Sequence, residues 1–304
     1  MKFGIALPPA QPMPGQPEWT HGDDPAPILA IARKADELGY AWLPCSDHVV
    51  VPGRAVPSMG TQWYEPATTL AFIAGITSRV RLLAHVVVLP YHSPFDVAKQ
   101  YATLDRLSGG RVILGIGTGH LRGEFRALDA PFEERGAVTD ERLRVIKALW
   151  SDAAASFAGS AYQFRDLHLA PRPVQQPHPP IWVGGNSRRA VRRAVELAQG
   201  WIPFEVTLEQ VVAALDYARA LPDYERRDAP LDVVAPAGPV EIASAPIAGA
   251  RGRFTGHRDQ VRDDVADYER GGVTGLTVGF RARTLAAYLE QMDRFASEIM
   301  PAFR

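Results

Sequence analysis

The run Gly115-Ile116-Gly117-Thr118-Gly119-His120, set directly after apolar Val112-Ile113-Leu114, narrows the architectures open to this chain. A short buried strand that ends in alternating glycines leaves backbone a ligand can approach closely, because no Cβ intervenes. Glycines also mark tight turns, so one such run decides little. A second stretch repeats the logic: Pro179-Pro180-Ile181-Trp182-Val183-Gly184-Gly185-Asn186-Ser187 reads as apolar strand, glycines, then helix start. Two strand ends of this kind suit an enzyme that holds a large flat or phosphorylated cofactor.

Strand and helix patterns alternate along the rest of the chain. The periodicity predicts strands at 3–7, 41–43, 80–88, 112–114, 181–183, 201–202, 231–234 and 276–278. Helical patterns fall between them, at 28–38, 66–76, 94–107, 137–150, 187–199, 208–220 and 261–270, with 285–300 closing the chain. Ser93-Pro94-Phe95-Asp96 is a helix start with its cap, N1 proline and acid in place. Residues 156–169 read as an excursion outside the alternation. Eight strand–helix units predict a (β/α)8 TIM barrel with insertions at its C-terminal mouth, one domain over residues 1–304. An open doubly wound sheet is the alternative, because several strands are short.

Bulk properties exclude several classes. Thirty-three Lys and Arg against thirty-four Asp and Glu give a net charge of −1, with no electrostatic case for nucleic acid or a membrane surface. A single cysteine, Cys45, excludes an intrachain disulfide framework and a cysteine metal cluster. The eight histidines lack paired metal-ligand spacing. The opening run breaks at Pro8, so the expectation is no signal peptide and a soluble, cytoplasmic protein.

In a barrel, reactive groups gather at the C-terminal ends of strands. Asp47 and His48, His85, Thr118 to His120, and Gly184 to Ser187 fall there. A carboxylate beside an imidazole can orient it for proton transfer near neutral pH. Asp47 could equally cap a turn with His48 on the surface, since neighbours on a strand point to opposite sides. Gly184, Gly185, Asn186 and Ser187 open a helix whose N-terminus can receive a phosphate, or they form a simple cap. Arg188, Arg189, Arg192 and Arg193 early in that helix oppose its dipole, a conflict that a bound anion relieves. His85 breaks an apolar strand, and His120 is a polar loop residue or a proton donor. Cys45 reads as buried, and the aromatics at 63–64 as lid or core.

At these positions the chain resembles the bacterial luciferase-like superfamily, and within it the coenzyme F420-dependent oxidoreductases. The matching segments are Trp42 to Val49, Trp63 to Pro66, Val88 to Pro94, Leu104 to Arg111, Gly115 to Gly119 and Pro179 to Ser187. The match is weakest over 222–258. The resemblance implies a homodimeric barrel that moves hydride between F420 and a small organic substrate. Asp47, His48 and His120 would be catalytic; His85, Val86, Gly117, Thr118, Gly184, Gly185, Asn186 and Ser187 would hold the cofactor. It also implies a cis peptide at His85-Val86 backing the cofactor ring. One position departs: relatives acting on sugar phosphates carry Glu where this chain has His120. The alternatives are an FMN-dependent monooxygenase supplied by a partner flavin reductase, and a non-catalytic flavin-binding barrel.

Overall fold

The computed structural model describes residues 1–303. Its barrel strands are β1 (Lys2–Ile5), β2 (Trp42–Cys45), β3 (Arg81–Val88), β4 (Val112–Gly117), β5 (Ile181–Gly184), β6 (Gly200–Ile202), β7 (Asp232–Ile242) and β8 (Gly275–Phe280). From β2 each strand pairs in parallel with the next, and β8 returns to β1. Between β1 and β2 the Ala41 N–H donates to the Phe3 carbonyl at 2.6 Å, which nearly closes the ring. The barrel, rather than the open sheet, is therefore the architecture.

Several elements differ from their expected extent. Strand β7 continues to Ile242 and pairs there with Thr255–Gly256. Residues 155–167 form an antiparallel hairpin, Ala155–Ala158 with Gln163–Leu167. A short helix, Arg122–Ala127, follows β4 where no helical period is visible. The last α-helix ends at Arg294, and a π-helical turn carries the chain through Ile299.

A layer of inward side chains plugs the barrel: Trp42, Leu83, Ile113, Trp182, Ile202 and Val234. The two indoles meet edge to face with centroids 5.3 Å apart. Glycines in neighbouring strands make the room. A Cβ on Gly4 would lie 1.9 Å from the Trp42 ring, and one on Gly200 would lie 2.4 Å from the Trp182 ring. Trp42 Nε1–H is satisfied by Thr277 Oγ1 at 2.9 Å. A second apolar layer, including Ile31, Leu70, Ile146 and Val265, sits between strands and helices. Burying a side chain of this size contributes about 1.5–3 kcal/mol. With the barrel interior filled, a ligand has the C-terminal mouth left to it.

Candidate active site

The floor of the mouth is set by a bulge in β3. Ala84 pairs with Leu114 and Val87 with Ile116, so His85 and Val86 together face the single residue Gly115. The His85-Val86 peptide is cis, as the resemblance implies. The Val86 side chain drops between two strand ends. A Cβ on Gly117 would lie 2.5 Å from Val86 Cγ2, and one on Gly184 would lie 2.9 Å from Val86 Cγ1. The reading of these glycines as open ground for a ligand is thus corrected. Protein fills the space above them, and a side chain at either would have to displace Val86.

Just past the end of β2, Asp47 and His48 turn to different partners. The buried Asp47 carboxylate accepts from the Val88 N–H at 2.8 Å and from His92 Nε2 at 2.7 Å. It ties the end of β3 to the end of β2, and the expectation that it aligns His48 is corrected. Burial pulls His92 down, yet the bond to Asp47 and the charges of Asp47 and Glu65 leave its pKa above the usual imidazole value.

The carboxylate that meets His48 is Glu124, on the helix absent from the sequence reading. Glu124 Oε2 lies 2.8 Å from His48 Nδ1 and also accepts from Tyr91 Oη–H at 3.1 Å. Its Oε1 accepts the Val49 and Val50 amides at 2.7 and 3.2 Å. Glu124 has no exposed surface, and His48 keeps 11% of its side chain exposed. Burial alone would raise the Glu124 carboxyl. The hydrogen bonds from His48, Val49 and Val50, with the His48 charge, hold it below the usual carboxylate range. An ionised Glu124 fixes a proton on Nδ1 and leaves Nε2 as the working nitrogen. Deleting the imidazole would strand a buried charge, which costs several kcal/mol.

Two aromatic rings complete this corner. The Trp63 ring meets His48 edge-on at 4.5 Å, and the exposed His120 ring lies 6.1 Å away. Partial desolvation by its neighbours, with the charge of His48, lowers the His120 pKa. Tyr64 turns the other way and packs on the core, so the paired aromatics divide between site and core. Cys45 is buried and its thiol is pushed up to about 12, which leaves it inert.

Beside this group opens a cavity of about 860 Å³, lined by Leu7, Gln11, Trp63, His85, Phe204 and Phe280 among others. Its size fits the range of cofactor and small-ligand sites. Burial pushes the His85 imidazole down to about 4, so it is neutral near pH 7. Among the described residues, no group of three or more His, Cys, Asp or Glu is arranged to hold a metal ion. No helix among them is long and apolar enough to cross a membrane.

The helix Arg188–Leu197 begins beside a loop that lines this cavity. Asn186 accepts the Phe204 N–H at 3.1 Å and donates to the Phe204 carbonyl at 2.6 Å, clasping a cavity-lining loop. Ser187 caps the helix by accepting the Ala190 N–H at 3.2 Å. The first-turn amides of Arg188 and Arg189 have no acceptor within the helix, which is where an anion would be received. Gly185 sits at φ +114°, backbone that a side chain there would strain whatever the space. Of the four arginines, the buried Arg193 is committed to Asp140 and the Gly136 carbonyl, and Arg188 lies over the Tyr217 ring. Thr118 follows β4 at the mouth.

A flavin-type group can be accommodated by these residues. Val86, seated in its glycine hollow, gives a floor without projecting side chains, and a phosphate has free amides at the rim.

Comparison with known proteins agrees with this geometry. The chain is 34% identical over 160 residues to the FMNH2-dependent dimethylsulfone monooxygenase of Pseudomonas putida. That match takes in 52% of this chain and 44% of the relative, so this chain matches less than half of the relative's length. Monooxygenase RslO1 from Streptomyces bottropensis superposes with a TM-score of 0.82 at 23% identity, with all of both chains covered. The coenzyme F420-dependent tetrahydromethanopterin reductase of Methanopyrus kandleri superposes at 0.77 and 18% identity, over 100% of this chain and 99% of that one. The luciferase-like monooxygenase family profile matches residues 1–246. With its barrel, its bulged third strand and that match, the chain belongs to the luciferase-like monooxygenase family.

Proposed function

We propose that the protein is an oxidoreductase that transfers hydride between coenzyme F420 and a small organic substrate at the barrel mouth. The observation that carries this reading is the His48–Glu124 pair, 2.8 Å apart, beside the large cavity. Hydride transfer to or from carbon needs a proton moved in step, and a histidine held by a buried carboxylate supplies or removes it near neutral pH.

Bound at the mouth, the deazaflavin supplies the two-electron hydride donor or acceptor. The chain's own residues do the rest. Val86 would lie under the ring, and the helix start at Ser187 would receive the phosphate. His48 Nε2 gives or takes the substrate's proton, while Glu124 holds the imidazole in one tautomer and steadies its charge. Trp63 walls the proton-transfer corner from the side. His120 would stand at its outer edge, with its ring 6.1 Å from that of His48. Support for F420 comes from the Ser46-Asp47-His48 and Gly184 to Ser187 motifs and from the F420-dependent reductase among proteins of this fold.

The second reading is an FMNH2-dependent monooxygenase served by a flavin reductase, favoured by the name of the Pseudomonas relative. Turnover separates the two. Anaerobic reduction of F420 with a panel of small alcohols, or its reoxidation with the matching carbonyls, supports the first. Substrate-dependent oxygen uptake with FMNH2, and none of the F420 reaction, overturns it.

A further inference from the structure

Four arginines crowd the first two turns of the helix after β5, and the chemistry of the mouth uses none of their side chains. Arg193 is buried and paired with Asp140. Arg188, Arg189 and Arg192 are exposed, and so is Arg144 on the neighbouring helix Arg135–Ser151. Together they line a groove of about 470 Å³. The acids in it are Asp140 and Glu196. Asp140 is shared, with Arg189 at 3.5 Å, and Glu196 reaches Arg192 only at 3.9 Å. Among the described residues, no acid pairs with Arg144 or Arg188. Five cations less two acids leave +3 in this groove, on a chain whose net charge is −1. Clustered cations repel, and those in the first turn also oppose the helix dipole. A bound anion relieves both penalties.

The groove connects with the mouth. A smaller cavity of about 340 Å³, with Asn186 and Gln210 in its walls, lies between them. It shares Glu205 with the mouth cavity, and Arg188 and Tyr217 with the groove. Residues 188 to 193 rise about 8 Å along the helix. A ligand with its phosphate on the first-turn amides therefore needs only a short tail to meet every arginine. The guanidiniums are spread over two flanks. Arg188 and Arg192 lie toward Tyr217, while Arg189 and Arg144 lie toward Asp140. That spread suits a chain of separate carboxylates better than one compact anion.

We propose that this groove seats a flexible oligocarboxylate, the chain of glutamates that coenzyme F420 carries beyond its phosphate. Ring, phosphate and tail would run from the mouth, past the helix start at Ser187, onto the arginine face. The proposal rests on the F420 reading above and extends it to side chains outside the mouth. FMN ends at its phosphate and has nothing to place there.

The test is a binding titration of the folded protein with two forms of F420, one with its glutamates and one trimmed back to the phosphate side of the tail. Several exposed charge pairs, each weak alone, together make the tailed form bind about tenfold more tightly. The advantage shrinks as salt is raised. In Arg188→Gln/Arg192→Gln the advantage falls to about twofold or less, while the trimmed form binds as before. Arg144→Gln, on a different helix, acts in the same direction, and melting curves check that all variants are folded. Equal affinity for the two forms in the unmodified protein overturns the proposal, and so does a full tail advantage in the folded double variant. A free γ-linked hexaglutamate, titrated without cofactor, keeps this test separate from the choice of cofactor. If neither form of F420 binds, the F420 reading fails. Hexaglutamate binding that is lost in the double variant then still assigns the groove to oligocarboxylates, and no binding overturns it.

Discussion

Glu124 and His48, 76 residues apart in the chain, share a 2.8 Å hydrogen bond at the barrel mouth, with the carboxylate fully buried and the imidazole nearly so. In the proposed mechanism His48 transfers the proton and Glu124 positions it. His48→Ala therefore lowers kcat about 10²–10⁴-fold, the usual worth of a placed acid or base, with cofactor affinity unchanged. Glu124→Gln keeps the shape but removes the charge that favours the imidazolium. It lowers kcat less than His48→Ala does. Steady-state kinetics read both effects, and full turnover in folded His48→Ala would remove the residue from the mechanism.

The floor depends on absent side chains. Gly117→Ala places a Cβ 2.5 Å from Val86 Cγ2 and destabilises the protein by about 1–3 kcal/mol through overpacking. In a Val86→Ala background the same change costs much less, because the clashing methyl is gone. Thermal or denaturant unfolding of the four proteins in the cycle measures that coupling. Additive costs would show that Val86 does not occupy the hollow in solution.

The helix at Ser187 makes a separate claim about the phosphate. Ser187→Ala removes the cap on the Ala190 amide and costs about 0.5–2 kcal/mol of stability. Cofactor binding weakens severalfold for F420 and little for its phosphate-free chromophore. Gly185→Val is the poorer probe, since its backbone at φ +114° is strained by any side chain. Equal loss for both ligands in titrations of folded Ser187→Ala would move the phosphate elsewhere.

Two histidines give opposite pH signatures. His85, pushed down to about 4 from 6.5, stays unprotonated in the folded state while the unfolded chain takes up the proton. Its effect is therefore a stability that falls as pH drops from 6.5 toward 4. His92 is raised by Asp47, so its contribution is full below the unfolded value of about 6.5 and is lost as pH rises through the folded pKa. Histidine NMR titration reads each group directly. A His85 midpoint near 6.5 would contradict its desolvated setting.

The barrel itself was legible because glycines close helices just ahead of strands, as Gly39 does before β2 and Gly109-Gly110 before β4. The mouth positions of His48, His85, Thr118 and Asn186 followed from that order. What stayed hidden was pairing. Asp47 and His48 are adjacent in sequence, but their side chains serve different neighbours, His92 and Glu124. Glu124 lies in a six-residue helix, too short to show a period, and nothing local marks a glutamate as buried. It stands four residues beyond His120, the position where the resemblance leads one to look for an acid. The glycines were found, yet their purpose was not, because the side chain that fills them belongs to another strand.

The most direct test of the central claim is a side-by-side binding titration of the purified protein with F420 and FMN. An F420-dependent enzyme binds F420 with the lower dissociation constant, and does so without a reductase present. A dissociation constant for FMN equal to or below that for F420 would contradict the assignment and give the mouth to an FMN-dependent monooxygenase.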